Sequence, residues 1–89
     1  MSYQVEFKKS TLKELQKCPQ IVQTKILDAI ALLRINPFTQ ILNIKKLKGA
    51  ESLFRLRLGE YRLIYEIQGH KLTLIVIKIG HRKEIYRGI

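Results

Sequence analysis

The run Leu53-Phe54-Arg55-Leu56-Arg57-Leu58-Gly59-Glu60-Tyr61-Arg62-Leu63-Ile64-Tyr65-Glu66-Ile67 decides how this chain folds. From Leu53 to Leu58, and again from Tyr61 to Ile67, the period is two, which gives strands with two unlike faces. Gly59-Glu60 has the length of a tight hairpin turn. A turn of that length sets Leu58 opposite Tyr61 and Arg57 opposite Arg62. Arg55 and Arg57 leave one side of their strand, and Phe54, Leu56 and Leu58 leave the other. After a slightly longer turn at Gln68-Gly69-His70, Leu72 to Ile79 forms a third strand. It is apolar on both faces, so the expected place is inside the sheet.

Working outward, Tyr3 to Phe7 alternates in the manner of a short strand. Thr11 with Glu14 three residues on reads as a capping box, with Leu12 and Leu15 facing inward until the helix ends near Pro19. A second helix starts at Pro19, whose fixed torsion suits a first helical position, and runs to about Arg34. Val22, Ile26, Ala29, Ile30 and Leu33 form its apolar stripe, and Ile21, Leu27 and Leu32 widen it, as in a helix covered on more than one side. Asn36-Pro37 stops it, because proline pushes the residue before it out of helical torsions. Residues 38 to 52 show little periodicity and read as a basic loop or poorly formed strand carrying Lys45, Lys46 and Lys48 before Gly49. The order implies one α+β domain spanning residues 1 to 89: an N-terminal strand, a two-helix hairpin, then a three-strand antiparallel meander, the helices on one sheet face and the other face free.

Seventeen Lys and Arg against seven Asp and Glu give a formal net charge of +10, so this body needs an anionic partner. Nucleic acid fits, because cations release counterions condensed on phosphates; an acidic protein fits equally. A single cysteine, Cys18, excludes an internal disulfide, and no Cys or His cluster has the spacing of a zinc site. Neither a secretion signal nor a membrane-spanning apolar run is present, and a cytoplasmic protein without metal or other cofactor is expected.

Two arginines opposed across strands repel, by up to about 1 kcal/mol on the scale of cross-strand pairs. The arrangement becomes favourable when a phosphate sits between the guanidinium forks. Arg55, Arg57 and Arg62 therefore read as an anion site in preference to a merely solvated face. The ending Gly80-His81-Arg82-Lys83-Glu84-Ile85-Tyr86-Arg87 adds an imidazole that titrates near neutrality and an aromatic ring on which an unstacked base can lie. Together these residues suggest a phosphodiester site.

Over nearly its whole length the chain resembles the RelE/ParE toxin superfamily. The resemblance is carried by Leu47-Lys48-Gly49, by Phe54 to Tyr65, and by Gly80-His81-Arg82 with Tyr86-Arg87. The ending favours the RelE-like branch over the gyrase-poisoning ParE branch. That resemblance implies a toxin of a type II toxin-antitoxin system, an mRNA interferase that cleaves translated messenger in the ribosomal A site by attack of the ribose 2′-hydroxyl, without metal. Arg62 and Arg82 would stabilise the phosphorane, Arg55 and Arg57 would orient the scissile group, and Tyr86 would align the nucleotide. Lys45, Lys46 and Lys48 would hold ribosomal RNA phosphates. Relatives often carry Lys at the positions of Arg55 and Arg57, and arginine cannot serve as a base. His81 or Tyr86 would then move the proton. The implied partner is an acidic antitoxin wrapped over the cationic face. Two other functions compete: a ParE-like poison of DNA gyrase, and a basic RNA-binding module with no chemistry.

Overall fold

The computed structural model describes residues 2–49 and 52–81. In chain order the elements are β1 (Gln4–Phe7), α1 (Lys9–Lys17), α2 (Gln20–Ile35), β2 (Asn43–Lys46), β3 (Leu53–Leu58), β4 (Tyr61–Gln68) and β5 (Thr73–His81), with a single 3-10 turn at Gly69–Lys71. They form an α+β fold around a five-stranded sheet of order β1-β5-β4-β3-β2. Only β1 runs parallel to its neighbour, β5; the other pairings are antiparallel. The expected meander is present, and β5 lies inside the sheet.

The hairpin turn behaves as its length requires. Gly59 takes a φ of +59°, where a side chain would be strained, and Leu58 faces Tyr61 while Arg57 faces Arg62. The stretch that looked aperiodic supplies a fourth antiparallel strand, β2, short and largely exposed at the sheet edge.

One face of the sheet carries the core. Leu56, Leu63, Tyr65, Leu74, Val76 and Ile79 meet Ile26, Ala29, Ile30 and Leu33 of α2 in a single buried cluster. Tyr65 is fully buried, and its hydroxyl donates to the carbonyl of Pro37 at 3.0 Å. Asn36 ends α2 as expected, and its side-chain oxygen then accepts from the amide of Phe38. The helix has one buried side only: Ile21, Leu27 and Leu32 are exposed, so the wider stripe is not a second packed face. Pro19 caps α2 from just outside the first turn instead of occupying its first position.

The expected capping box is replaced by a long-range arrangement. α1 starts two residues before Thr11, with Lys8 as its cap and no side-chain bond there. Thr11 is fully buried and donates from Oγ1 to the carbonyl of Ile77 at 2.7 Å, while Glu14 Oε1 accepts from the amide of Ile79 at 3.0 Å. β1 pairs with β5 only as far as Val76, so α1 side chains serve the strand where β1 has ended. Leu15 is buried with them; Leu12 is exposed, contrary to expectation.

Candidate nucleic-acid interface

Cross-strand partners share a face, so the register assembles the outer side of the sheet row by row. One row is Asn43, Arg57, Arg62 and Gly80 on β2, β3, β4 and β5; the next is Lys45, Arg55, Ile64 and Lys78. Arg55, Arg57, Arg62 and Lys45 are thus brought together, opposite the helices. This face is less bare than expected, because Ile64 in its middle is only 1% exposed.

The three arginines differ in their surroundings. Arg57 is exposed. Arg62 is 8% exposed and its Nη1 donates to the carbonyls of Gly59 at 2.8 Å and Tyr61 at 3.0 Å, so its head is folded over the hairpin turn. Arg55 is half-buried; its Nη2 reaches Asn43 Oδ1 at 3.5 Å, and its buried Nε has no hydrogen-bond partner among the described residues. A buried donor without an acceptor is costly, and an anionic oxygen would satisfy it. Among the described residues none of the three is paired with a carboxylate. Glu66, the acid nearest by alternation, accepts from Ser52 and Gln68 instead.

Lys46 pairs with Phe54 and so leaves the opposite side from Lys45. It lines a pocket with Phe38, Thr39 and Phe54, away from the arginines. Lys48 is exposed in the loop after β2. His81 is also separated from the cluster. It pairs with Tyr61, whereas Arg62 pairs with Gly80, so the imidazole leaves the helix side of the sheet. There its ring meets Tyr61 edge-on at 5.8 Å, its Nε2 lies 4.0 Å from Glu60, and it lines a cavity of about 300 Å³ with Glu14, Lys17 and Cys18. The Cys18 thiol is pushed above its ordinary pKa by burial and then by the charge of Glu14. Arg82 and Tyr86 lie outside the described residues.

Sequence reasoning missed Lys78 as a member of this face. Counting back from the β4–β5 turn, Gln68 pairs with Thr73 and Tyr65 with Val76, which would set Lys78 against the buried Leu63. An irregularity between Ile64 and Tyr65 shifts the register by one, leaving Ile77 as the extra residue and Lys78 opposite Ile64. Nothing local in the sequence marks that bulge.

A sequence model of the ParE toxin of type II toxin-antitoxin systems matches residues 5–86. The chain belongs to the RelE/ParE toxin superfamily. Within it, the RelE3 toxin of Methanocaldococcus jannaschii is 34% identical over 84 residues, covering 92% of this chain and 93% of that protein. The mRNA interferase toxin RelE of Escherichia coli K12 is 27% identical over 90 residues, covering 97% and 92%. In three dimensions the fold is similar to a chain of the crystal structure of the archaeal RelE–RelB complex from Pyrococcus horikoshii, with a TM-score of 0.83, 29% identity, and 94% of this chain and 99% of that chain covered. The RelE/ParE fold thus carries the cationic face described above. Among the described residues of this member, no helix is long and apolar enough to cross a membrane.

Proposed function

We propose that this toxin is a ribosome-dependent endoribonuclease that cuts translated messenger in the A site. The observation that carries the reading is the pairing of Arg57 with Arg62, with no carboxylate neutralising either among the described residues. Two arginines in register on one sheet face favour an oxyanion bound between their charged heads. In the reaction, the 2′-oxygen of a ribose loses its proton and attacks the adjacent phosphorus in line. The bond to the 5′-oxygen breaks and that oxygen takes up a proton, from a general acid or from water, leaving a 2′,3′-cyclic phosphate and a 5′-hydroxyl end. The phosphorane carries an extra negative charge, and Arg62 with Arg82 stabilises it more than the ground state. Arg55, whose Nε has no hydrogen-bond partner among the described residues, and Arg57 orient the scissile phosphate. These cations would supply the charge stabilisation without a metal ion.

Of the two candidates for the proton, His81 leaves the opposite face of the sheet, which supports Tyr86 in that role beside its alignment of the nucleotide. Lys45 and Lys48 serve ribosomal RNA phosphates at the margin, and Lys46 is the lysine least suited to do so.

The reading is tested by adding the purified protein to ribosomes translating a defined messenger and mapping new ends by primer extension. Cleavage within the A-site codon is expected. Intact messenger beside folded protein overturns the reading. The match to the ParE model supports a second one, poisoning of DNA gyrase, for which loss of supercoiling activity would be decisive.

The partner is an acidic antitoxin, and the site of action is the cytoplasm, where ribosomes are. The similarity to RelE in a RelE–RelB complex supports the partner, as does the charge of +10. The free toxin should bind heparin and the complex should bind it weakly. Equal retention counts against charge masking.

A further inference from the structure

Beyond the arginine rows the sheet ends at β2, and against that edge lies a cavity of about 430 Å³, the size of a small-ligand site. Its walls include Phe38, Thr39, Asn43, Lys46 and Phe54. Two aromatic rings shape it. Phe54 stacks on Tyr65 and packs against the core, and Phe38 meets Phe54 edge-on at 5.6 Å. Phe38 itself is 56% exposed, so much of its ring is open. The loop that carries this ring is held by hydrogen bonds. The amide of Phe38 donates to Asn36 Oδ1 at 3.0 Å, the amide of Thr39 donates to the carbonyl of Asn36 at 3.2 Å, and the carbonyl of Pro37 accepts from Tyr65. An open ring on a backbone already fixed loses little freedom when a ligand stacks on it.

Lys46 supplies the charge. It is exposed, lines the same cavity and pairs with Phe54 across the strands, so it leaves the side of β2 opposite Lys45. An aromatic ring beside a cation suits an unpaired nucleotide, because the ring stacks on the base and the cation takes the backbone phosphate. Asn43 joins this cavity to the arginine face. It lines the cavity, stands in the row with Arg57 and Arg62, and accepts from Arg55 through Oδ1. A nucleic-acid strand lying across that row therefore meets Phe38 and Lys46 where it passes the sheet edge. A peptide strand is the competing occupant of the edge. β2, however, is only four residues long and carries lysines on both faces, two features that discourage strand addition.

We infer that Phe38 and Lys46 form a second RNA subsite at the β2 edge, where a base of the strand held by the arginines stacks on Phe38 and an adjoining phosphate meets Lys46. The inference rests on the nuclease reading for its ligand, and its test separates the two. Affinity is measured over a range of salt concentrations for a short single-stranded RNA, 2′-O-methylated so that it cannot be cut. Phe38→Ala should weaken binding roughly tenfold, the order of one stacking contact. Phe38→Leu keeps apolar cover over Phe54, so it should melt with the wild type and still lose that affinity; Phe38→Trp should restore it. None of the three should change the slope of log affinity against log salt, because the ring carries no charge. Lys46→Met should lower that slope by about 0.7, the value for one contact to a single strand.

An abasic strand of the same length should bind Phe38→Leu and wild type alike. Equal affinity of Phe38→Leu and wild type for the RNA with bases overturns the inference, and intact cleavage on ribosomes would then leave the nuclease reading standing. A wild type that does not bind the RNA also overturns it, as does a Phe38→Leu variant that loses affinity only for an acidic peptide. Failure of the wild type to cleave translated messenger, with the effect of Phe38 on RNA binding intact, removes the nuclease reading and leaves the subsite.

Discussion

Thr11 Oγ1 lies 2.7 Å from the carbonyl oxygen of Ile77, a bond between residues 66 positions apart that ties the first helix to the bulge in the last strand. The donor end is removed from bulk water, since Thr11 is fully buried. Thr11→Val keeps the shape and deletes the donor, so the carbonyl is left unpaired. The expected loss is about 1–3 kcal/mol, read from the denaturant midpoint. An unchanged midpoint would mean that the carbonyl finds another donor at no cost.

Tyr65 gives a pH dependence of definite sign. Burial raises its pKa above the ordinary phenolic value, so the folded state holds the neutral form while the unfolded chain ionises near pH 10. The stability contributed by this group is complete below about pH 10 and declines as the pH rises beyond it. Tyr65→Phe should cost about 1–3 kcal/mol at neutral pH, because the Pro37 carbonyl loses its donor. The gap between variant and wild type should then narrow in alkaline solution. A gap that widens with pH would contradict this account.

Arg57 and Arg62 should separate stability from activity. Arg62→Ala strips two carbonyls of their donor and should cost about 1–2 kcal/mol. Cleavage should fall by about 10²–10³, the range for loss of one transition-state donor. Arg57→Ala removes an exposed repulsive neighbour and should leave stability unchanged within about 0.5 kcal/mol, with cleavage still reduced. Equal cleavage by Arg57→Ala and wild type would take Arg57 out of the site.

Cys18 is buried, and its thiol donates to the carbonyl of Glu14 at 3.4 Å. With its pKa raised it should react slowly with a thiol reagent in the native protein. The labelling rate should follow the unfolded fraction as denaturant is added. Rapid labelling without denaturant would show that the α1–α2 junction opens locally.

The outer-face arginines were legible because their placement is a local matter. Alternation puts Arg55 and Arg57 on one side, a two-residue turn pairs Arg57 with Arg62, and both properties are carried by neighbours in the chain. The order of elements and the buried stripe of α2 follow from period in the same way. Thr11 and Glu14 misled for a related reason. Their spacing is that of a capping box, yet their partners are backbone groups of β5 that no local pattern reveals.

By itself, then, the amino-acid order determined an α+β domain, a meander, and three arginines on a common face. The tertiary structure decided the fourth antiparallel strand, the exposed side of α2, and above all which residues at the end of β5 look toward those arginines. One extra residue at Ile77 turns Lys78 and Gly80 to that face and His81 to the other. The physical reason is that strand side chains alternate with period two, so a register shift of one exchanges the faces completely. Such a shift is stabilised by hydrogen bonds from a helix distant in sequence.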